Sequence, residues 1–288
     1  MDIGNPIDFT GRAVIVTGGT KGIGAVIAEA FLAVGADVLV CGRGEPPELP
    51  GSGTRRAHFR RTDVRDPAEA AALVDLAVER FGRLDVLVNN AGGSPDADAA
   101  TVSPRFVERI VALNLLAPFY VSQAANRVMQ GQGDGGSVVN IGSVSAHTPQ
   151  PGTAAYTAAK AGLLALTRAL ALEWAPKVRV NHITTGLVRT QSAASVYGED
   201  GGAAVAEVVP MRRMAAPDDV ARACLYLAGG LASYVNGADL AVHGGGEVPA
   251  RFLAAKGGRS GDRPETVRPR GPHRPKRAAN LSRPLDDN

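Results

Sequence analysis

Residues 12–24 read RAVIVTGGTKGIG: a short apolar run ends in a glycine cluster, after which apolar residues recur at helical spacing. Gly18, Gly22 and Gly24 stand where this helix opens. A pyrophosphate that approaches the backbone N–H groups at a helix N-terminus would collide with any Cβ there. Glycine-rich turns between a strand and a helix also arise for purely geometric reasons, but this position favours a dinucleotide-binding turn.

The chain alternates predicted strands with predicted helices as far as residue 242. The predicted strands are Arg12–Thr17, Ala36–Val40, Leu84–Val88, Ser137–Ile141, Val178–Ile183 and Ala238–Val242. The predicted helices are Gly22–Val34, Pro67–Phe81, Pro104–Met129, Ala154–Trp174 and Pro217–Leu227. Residues 44–53 (GEPPELPGSG) are predicted to be a loop. This alternation predicts an α/β fold, a doubly wound Rossmann-type parallel sheet of about seven strands with helices on both faces.

Composition and charge are those of a globular domain with an appended tail. Of the 288 residues, 45% are hydrophobic and 20% are charged, enough for a sizeable core. Lys256–Asn288 holds nine Lys/Arg and four Asp/Glu, a net charge of +5 against +3 for the whole chain. This segment is rich in Pro, Gly and Arg and cannot bury enough apolar surface to offset its ordering entropy. We therefore expect one domain over residues 1–255 and a disordered basic tail over residues 256–288.

Several classes of protein are not indicated by the sequence. No run is long and apolar enough to cross a bilayer, and the first residues lack the pattern of a secretory signal. Cys41 and Cys224 lie far apart, without the spacing of a disulfide framework or a zinc site. We therefore predict a cytoplasmic protein without a metal and without a membrane partner. A basic tail is compatible with nucleic acid binding, but nothing else supports it, and nucleic acid is not predicted as a partner.

The end of the second predicted strand indicates which dinucleotide would bind. An NAD site places Asp or Glu there to accept a hydrogen bond from the ribose 2′-OH. This chain has Gly42 followed by Arg43, and Lys21 lies inside the glycine turn. Two cations at one corner suit a 2′-phosphate, which arginine binds bidentately, although both could equally be solvated surface charges. We predict NADP(H) as the preferred cofactor, with NAD(H) as the alternative.

A serine, a tyrosine and a lysine form the second informative pattern. Ser143 follows a predicted strand, and Tyr156 and Lys160 lie near the start of the predicted helix Ala154–Trp174. Their i, i+4 spacing places the tyrosine and the lysine on one helical face. There the ammonium group would lower the pKa of the phenol toward the working pH, as a general acid/base requires. A lone Tyr-x-x-x-Lys is common on surface helices, so the pattern gains its meaning from the whole ordered set.

That ordered set resembles the short-chain dehydrogenase/reductase family in its single-domain form, and within it the 3-oxoacyl reductases. The resemblance covers about residues 8–247. Besides the glycine turn and Tyr156-x-x-x-Lys160, the matching motifs are Asp63-Val64, Asn89-Asn90-Ala91-Gly92, Asn114, Ser143 and Ser233-Tyr-Val-Asn-Gly237.

The resemblance implies roles for the matching residues. Tyr156 would exchange a proton with the substrate oxygen, Lys160 would lower its pKa and hold the nicotinamide ribose, and Ser143 would hydrogen-bond the substrate oxygen. Asn114 would hold a water in a proton relay behind Lys160, serve as a buried residue at a helix bend, or both. The implied catalytic residues are Asn114, Ser143, Tyr156 and Lys160. The predicted cofactor-binding residues are Gly18, Thr20, Lys21, Gly22, Ile23, Gly24, Arg43, Asp63, Val64, Asn90, Gly92, Tyr156, Lys160, Val188 and Thr190.

Two stretches depart from the family pattern. Thr185-Gly186 stands where the family has Pro-Gly, so the fixed φ of proline is lost and the loop that follows is expected to be more mobile. Residues 130–136 (QGQGDGG) lack the basic residues with which fatty-acid-synthesis reductases of the family dock an acidic carrier protein. That second departure weakens a carrier-protein function.

Leu187 to Arg213 is predicted to be a mobile lid that excludes water. Arg189, Arg212 and Arg213 could contact an anionic group such as a CoA phosphate, but we interpret them as solvated charges. His147 could contact the substrate, although a lone loop histidine is more often a bystander. The apolar residues that suit either substrate contact or ordinary lid packing are Val196, Tyr197, Val208 and Met211.

These observations predict an NADP(H)-dependent oxidoreductase that interconverts a carbonyl (a ketone, an aldehyde or a 3-oxoacyl group) and an alcohol, with Tyr156 as general acid/base. The alternatives are an NAD-dependent alcohol or hydroxysteroid dehydrogenase of lipid catabolism and a non-catalytic NADP-binding sensor. A sensor need not keep all four implied catalytic residues. The expected partners are a small carbonyl or alcohol substrate and further copies of the chain. The resemblance implies a tetramer or dimer formed through Pro104–Met129 and Ala154–Trp174.

Overall fold

A computed structural model describes residues 7–190 and 202–249 of the chain. The chain divides into a compact unit, Met1–Glu247, and a second unit, Val248–Asn288. The basic tail predicted over residues 256–288 lies outside the described residues, as do Val196 and Tyr197 of the predicted lid. Within the described ranges, no helix has the length and apolar character needed to span a membrane.

One parallel sheet organises the first unit. Its strands are β1 (Ala13–Thr17), β2 (Asp37–Gly42), β5 (His58–Arg61), β6 (Val86–Asn89), β7 (Gly136–Ile141), β8 (Val178–Thr185) and β9 (Asp239–Val242), and a small antiparallel hairpin adds β3 (Gly51–Ser52) and β4 (Arg55–Arg56). The order across the sheet is β5-β2-β1-β6-β7-β8-β9, with every neighbouring pair parallel. The predicted seven-stranded doubly wound sheet is confirmed. The strand order turns back at β1, and ligands of such sheets bind beyond the carboxyl ends of the strands at this point.

Helices cover both faces of the sheet. They are α1 (Gly22–Ala33), α2 (Pro67–Phe81), α3 (Pro104–Val111), α4 (Ala117–Gly131), α5 (Ala154–Trp174), α6 (Ala203–Val208) and α7 (Pro217–Ala228). The helical stretch predicted over Pro104–Met129 is present as α3 and α4, with a π-helical segment, Ala112–Leu116, between them that the sequence argument did not predict. The prediction also missed α6, which lies inside the stretch that it treated as a lid.

Strand β5 was not predicted, and its sequence explains why. Its four residues read HFRR, and none of them is fully buried. It is an edge strand that pairs only with β2 in this sheet, and charged side chains are common on such edges because they discourage pairing with other chains. A short, charged strand therefore lacks the apolar run by which its buried neighbours are recognised.

Successive strand residues point to opposite faces of the sheet and feed two separate cores. In β1, Val14 and Val16 belong to one buried cluster and Ile15 to the other. The first cluster includes residues of α1 and α7, and the second includes residues of α2, α4 and α5. Both cysteines lie in these cores, where burial raises the pKa of the Cys41 thiol to about 12 and that of the Cys224 thiol still further. Neither is therefore a reactive thiolate at neutral pH.

Candidate active site

The turn after β1 brings backbone groups to the N-terminus of α1. Gly18 and Gly22 have φ angles of +61° and +56°, the left-handed region that glycine adopts without strain. A Cβ on Gly24 would lie 2.4 Å from both the Asn90 side-chain nitrogen and the Gly18 carbonyl oxygen, so only glycine fits there. The nearest atom that a Cβ on Gly22 would meet is a Thr190 methyl carbon at 3.8 Å. The turn is thus tightly packed at Gly24, and at Gly22 it leaves space for a ligand, as a pyrophosphate-binding turn requires.

Asn90, which was predicted to pack against the cofactor, supports this turn from below. Its side-chain nitrogen donates to the carbonyl oxygens of Thr17 at 3.0 Å and Gly18 at 3.2 Å. The Thr17 hydroxyl oxygen in turn accepts from the backbone N–H groups of Asn90 and Ala91. The end of β6 therefore fixes the end of β1, and the glycine turn is held in shape before any ligand arrives.

The adenosine corner of the predicted site carries no carboxylate at the end of β2. Gly42 faces Thr20 there, and a Cβ on Gly42 would lie 3.2 Å from the Thr20 hydroxyl oxygen. Asp63, at the end of β5, is engaged by Arg65, whose Nε donates to it at 2.8 Å and whose terminal nitrogen forms a closer ion pair. These hydrogen bonds, and to a smaller extent the charge of Arg43, hold the pKa of Asp63 below its usual value. Arg43 and Asp63 therefore share this corner.

Four further predicted cofactor residues lie around the same crevice. Lys21 is the N-cap residue of α1, and Ile23 is half-buried in its first turn. Val64 is buried after β5. Val188 is buried and pairs with Ala215, and this pairing ties the loop after β8 to the segment before α7. Together with the open face of the glycine turn, this arrangement fits a dinucleotide cofactor.

Lys160 is buried, although its side chain can carry a positive charge. Its side chain projects from α5, and its ammonium nitrogen donates to the carbonyl oxygen of Ile141 at 2.8 Å. The same nitrogen lies 5.6 Å from the centre of the Tyr156 ring. Burial lowers the pKa of Lys160 from 10.5 to about 8. Lysine and tyrosine therefore share one face of α5, as their spacing predicted.

Asn114 and Gly92 complete the floor beside Lys160. A Cβ on Gly92 would lie 2.9 Å from the Asn114 side-chain oxygen and 3.3 Å from the Lys160 nitrogen, so the three residues meet. Asn114 is fully buried; its amide group donates to the carbonyls of Gly93 and Ile110 and accepts from the Gly93 N–H.

The π-helical segment at Asn114 has a signal in the sequence that the prediction did not use. Pro118 lies four residues after Asn114 and has no N–H to donate to the Asn114 carbonyl, as an α-helix would require. Segments of π-helix are frequent at functional sites. The missing donor at Pro118 therefore accounts for a change of helix type at Asn114.

Ser143 lies two residues after the end of β7. It caps a short 3₁₀ turn, Val144–Ala146; its hydroxyl oxygen accepts from the Ser145 N–H at 3.1 Å, and its hydroxyl donates to the Ser145 hydroxyl at 3.2 Å. Tyr156 is half-buried in the first turn of α5 and lines a cavity of about 230 Å³. All four predicted catalytic residues therefore lie at the carboxyl end of β7 or on the helical segments that pack beside it.

Thr185 has a contact that a proline in its place could not make. Its hydroxyl donates to the carbonyl oxygen of Gly142 at 2.7 Å. The sequence argument considered only the lost φ restraint of proline. The structure adds a hydrogen bond that holds the end of β8 against the residue before Ser143.

The charged residues of the predicted lid have structural partners. Arg213 forms an ion pair with Asp219 in the first turn of α7, and Arg212 donates to the Glu207 carbonyl. Val208 is half-buried, and Met211 is 62% exposed. Arg212 and Arg213, which were interpreted as solvated charges, are exposed, and the structure adds that each has a partner in α6 or α7.

Sequence reasoning missed a polar cluster between β8 and the start of β9. The Asp239 carboxylate interacts with His182 at 2.7 Å, with Thr184 at 2.7 Å and with His147 at 2.8 Å. His147 was considered alone, whereas the structure joins it to residues on two other strands. The cluster borders a cavity of about 350 Å³ that also includes Val144, next to Ser143. No spacing in the sequence brings these residues together, because β8 and β9 are neighbours only through the sheet order.

A parallel doubly wound sheet, a glycine turn open at its switch point and a tyrosine–lysine pair beside it define a dinucleotide-dependent oxidoreductase. Residues 18–247 match a family described as Enoyl-(Acyl carrier protein) reductase. The chain is 36% identical over 244 residues to an uncharacterised oxidoreductase of Mycobacterium tuberculosis, covering 83% of this chain and 93% of that one. It is 36% identical over 241 residues to the D-threitol dehydrogenase of Mycolicibacterium smegmatis, covering 82% of this chain and 92% of that one.

Solved structures agree with these sequence relatives. The aldohexose dehydrogenase of Thermoplasma acidophilum superposes with a TM-score of 0.77 at 31% identity, covering 82% of this chain and 94% of that one. The chain therefore belongs to the short-chain dehydrogenase/reductase family, whose members are oxidoreductases that use NAD(P)(H) and act on alcohols and carbonyls. The resemblance drawn from the sequence is confirmed.

Burial of Lys160 predicts a stability that rises with pH. The folded protein releases the Lys160 proton near pH 8 and the unfolded chain near 10.5. Between these values the unfolded chain binds more protons, so the free energy of unfolding should increase by about 3 kcal/mol from pH 8 to 10.5 and be lowest below pH 8. Lys160→Met should remove this rise in urea unfolding measured at pH 7 and pH 10.5. Lys177→Met, a change at an exposed lysine, should keep it; the same rise in both variants would contradict the assignment.

The Thr185 hydroxyl predicts a specific loss of stability. Thr185→Val keeps the shape but leaves the buried Gly142 carbonyl without its donor, which should lower the free energy of unfolding by about 1–2 kcal/mol. Thr185→Ser retains the hydroxyl and should stay within about 0.5 kcal/mol of the native chain. Urea unfolding at pH 7 measures both. If the valine variant is as stable as the serine variant, the hydrogen bond is not what anchors the end of β8.

Proposed function

We propose that the chain is an NADP(H)-dependent oxidoreductase that interconverts a carbonyl, in a ketone, an aldehyde or a 3-oxoacyl group, and an alcohol. The observation that carries this proposal is the buried ammonium group of Lys160, 5.6 Å from the Tyr156 ring centre. A buried positive charge beside a phenol favours the phenolate and so lowers the tyrosine pKa. That is the electrostatic condition under which tyrosine exchanges protons near neutral pH.

Each residue of the site has a chemical part in the proposal. Tyr156 gives its proton to the carbonyl oxygen in reduction and takes the proton of the alcohol in oxidation. Ser143 turns its hydroxyl from Ser145 to the same oxygen and stabilises the negative charge that develops there. When bound, the nicotinamide cofactor supplies or accepts the hydride. Lys160 supplies the positive charge that lowers the pKa of Tyr156, and Asn114 holds a water in the proton relay beyond Lys160.

The preference for NADP(H) rests on the charges at the end of β2. Gly42 leaves no carboxylate to accept a hydrogen bond from a ribose 2′-OH, and Arg43 is exposed beside it. Asp63, the one acidic residue among the predicted cofactor-binding residues, is paired with Arg65. A 2′-phosphate would therefore meet Arg43 at the end of β2, with Lys21 as a further cation in the glycine turn.

The alternatives are weaker on the same observations. A non-catalytic sensor would need the glycine turn but not a lysine buried at the cost of its hydration. An NAD-dependent dehydrogenase would gain nothing from an arginine at the end of β2.

The proposal extends to assembly and location: a cytoplasmic homotetramer or homodimer formed through the two long helical segments. Leu116 and Leu172, on these segments, are 39% and 84% exposed, which supports an apolar contact there. The basic tail, residues 256–288, is proposed to be a disordered appendage of this single-domain enzyme.

Cofactor titration tests the preference. We expect NADPH to bind at least tenfold more tightly than NADH, a difference of about 1.4 kcal/mol, in titrations that follow nucleotide fluorescence. Arg43→Asp should abolish or reverse this ratio, because the carboxylate repels a 2′-phosphate and accepts from a 2′-OH. Arg105→Asp, a matched change at an exposed arginine in α3, should leave it unchanged. Tighter NADH binding by the native chain would overturn the NADP(H) assignment.

Loss of the phenol tests the chemistry. Tyr156→Phe should reduce kcat for carbonyl reduction by about 10²–10⁴-fold while nucleotide binding stays near the native value. The assay follows NADPH absorbance with a panel of one ketose, one aldose, one aliphatic ketone and one 3-oxoacyl thioester. Tyr120→Phe is the matched control and should retain activity. Undiminished turnover in the Tyr156 variant would show that another group carries the proton.

A further inference from the structure

The cavity of about 350 Å³ beyond Ser143 has a polar wall built around one carboxylate. Asp239 interacts through one oxygen with the Thr184 hydroxyl and His182 Nδ1, each at 2.7 Å. Its other oxygen lies 2.8 Å from His147 Nε2. Burial alone would raise the pKa of Asp239, but the hydrogen bonds donated by Thr184 and His182 outweigh it and hold the pKa below its usual value. The carboxylate is therefore ionised at neutral pH.

The cluster is anchored from behind by His182, which is fully buried. Burial lowers the pKa of His182, so the ring is neutral and donates its Nδ1 proton to the carboxylate. Its other nitrogen has no hydrogen-bond partner among the described residues. The ring fills the space beside Gly142, where a Cβ would lie 2.0 Å from it. His182 thus holds Asp239 from outside the cavity, whereas Thr184 and His147 both contact Asp239 and line the cavity.

Hydrogen-bonding capacity remains on the cavity side of the cluster. A carboxylate only accepts, so His147 Nε2 donates to Asp239, and Nδ1 of the same ring has no hydrogen-bond partner among the described residues. One oxygen of Asp239 has a single partner and can accept once more. His243 accepts a backbone N–H at Nδ1, so its Nε2 is the ring nitrogen that can donate. Thr148 adds a hydroxyl that both donates and accepts.

The charge of the lining limits what can bind. The described lining residues include two carboxylates, Asp239 and Glu247, and no lysine or arginine. An anionic group, such as a phosphate or a second carboxylate, would be repelled. A ligand with several hydroxyl groups matches a wall that mixes acceptors with donors, whereas an ammonium group only donates. A metal ion is not indicated, because the described residues hold no group of three or more His, Cys, Asp or Glu arranged to bind one.

We infer that this cavity binds the hydroxyl-bearing part of a neutral polyhydroxylated substrate, a polyol or an uncharged sugar, with His147 and Asp239 as the residues that recognise it. The inference rests on the proposed function, because the reacting carbon would lie at Ser143 and Tyr156. Val144, which follows Ser143, and Gly186, which follows Thr185, line the cavity, so its wall adjoins the end of the chain segment that carries Ser143. A site built to hydrogen-bond hydroxyl groups rejects analogues that lack them, since its own polar groups would be left unpaired.

Steady-state specificity tests the inference. For the native chain we expect kcat/KM for threitol to exceed that for butan-2-ol by at least 100-fold, and to exceed that for the sodium salt of a four-carbon aldonic acid. His147→Leu keeps the bulk of the side chain and removes the acceptor, and should reduce the threitol to butan-2-ol ratio by about tenfold. His58→Leu, a change at an exposed histidine on β5, is the matched control and should keep the native ratio. Equal use of threitol and butan-2-ol, or an equal loss on both in the His147 variant, would overturn the inference.

Binding without turnover separates this inference from the proposed function. In the protein without nucleotide, titration with threitol should shift the ¹⁵N resonances of the His147 ring in long-range ¹H–¹⁵N NMR spectra, and leave those of His58 unchanged. Butan-2-ol at the same concentrations should shift neither. A protein that reduces or oxidises no member of the panel but shows the selective shift refutes the proposed reaction and supports the polyol site. Unchanged His147 resonances at saturating threitol refute the polyol site, whatever the enzyme oxidises.

Discussion

The hydrogen bond from the buried Lys160 ammonium group to the Ile141 carbonyl is the contact on which the site depends. It joins α5 to the end of β7, and these two elements carry Tyr156 and Ser143. A charged group in such a position is tolerated only if the surrounding structure provides partners, because its desolvation costs several kcal/mol. Gly92 makes room beside it, and Asn114 occupies the break in the helix opposite. The ammonium group of Lys160 loses its hydration on burial, and this loss lowers the pKa of Lys160.

A second set of contacts keeps the end of β8 against the end of β7. Gly142 has no side chain, and the ring of His182 fills the space where one would be. The Thr185 hydroxyl bonds to the carbonyl of the same glycine. The residue before Ser143 is therefore packed by one neighbour and hydrogen-bonded by another. Proline, which the family has at this position, would fix the backbone φ angle. Thr185 instead restrains the end of β8 through its side-chain hydrogen bond to Gly142.

The sequence predicted those parts of the molecule whose causes are local. Buried strands such as β1 and β2 contain short apolar runs, AVIV and VLVC, and the i, i+4 spacing of Tyr156 and Lys160 follows from helix geometry alone. The edge strand β5 escaped prediction because its residues are charged. The π-helical segment escaped because Pro118 was not connected with Asn114 four residues earlier. His182 and Asp239 are 57 residues apart in the sequence, and His147 and Asp239 are 92 apart. Only the strand order brings these three residues together.

The β2 side and the β8–β9 side of the sheet differ in charge. At one end, Arg43 and Lys21 stand near the glycine turn, and Asp63 is neutralised by Arg65. At the other end, Asp239 remains ionised through donors that hold it in place. Under the proposed function, an anionic dinucleotide would be attracted to the β2 side and repelled from the β8–β9 side, where an uncharged ligand with hydroxyl groups would meet no such repulsion. Lys160 bonds to the end of β7, and β7 lies between these two sides in the strand order, so the proposed cofactor and substrate regions flank the lysine.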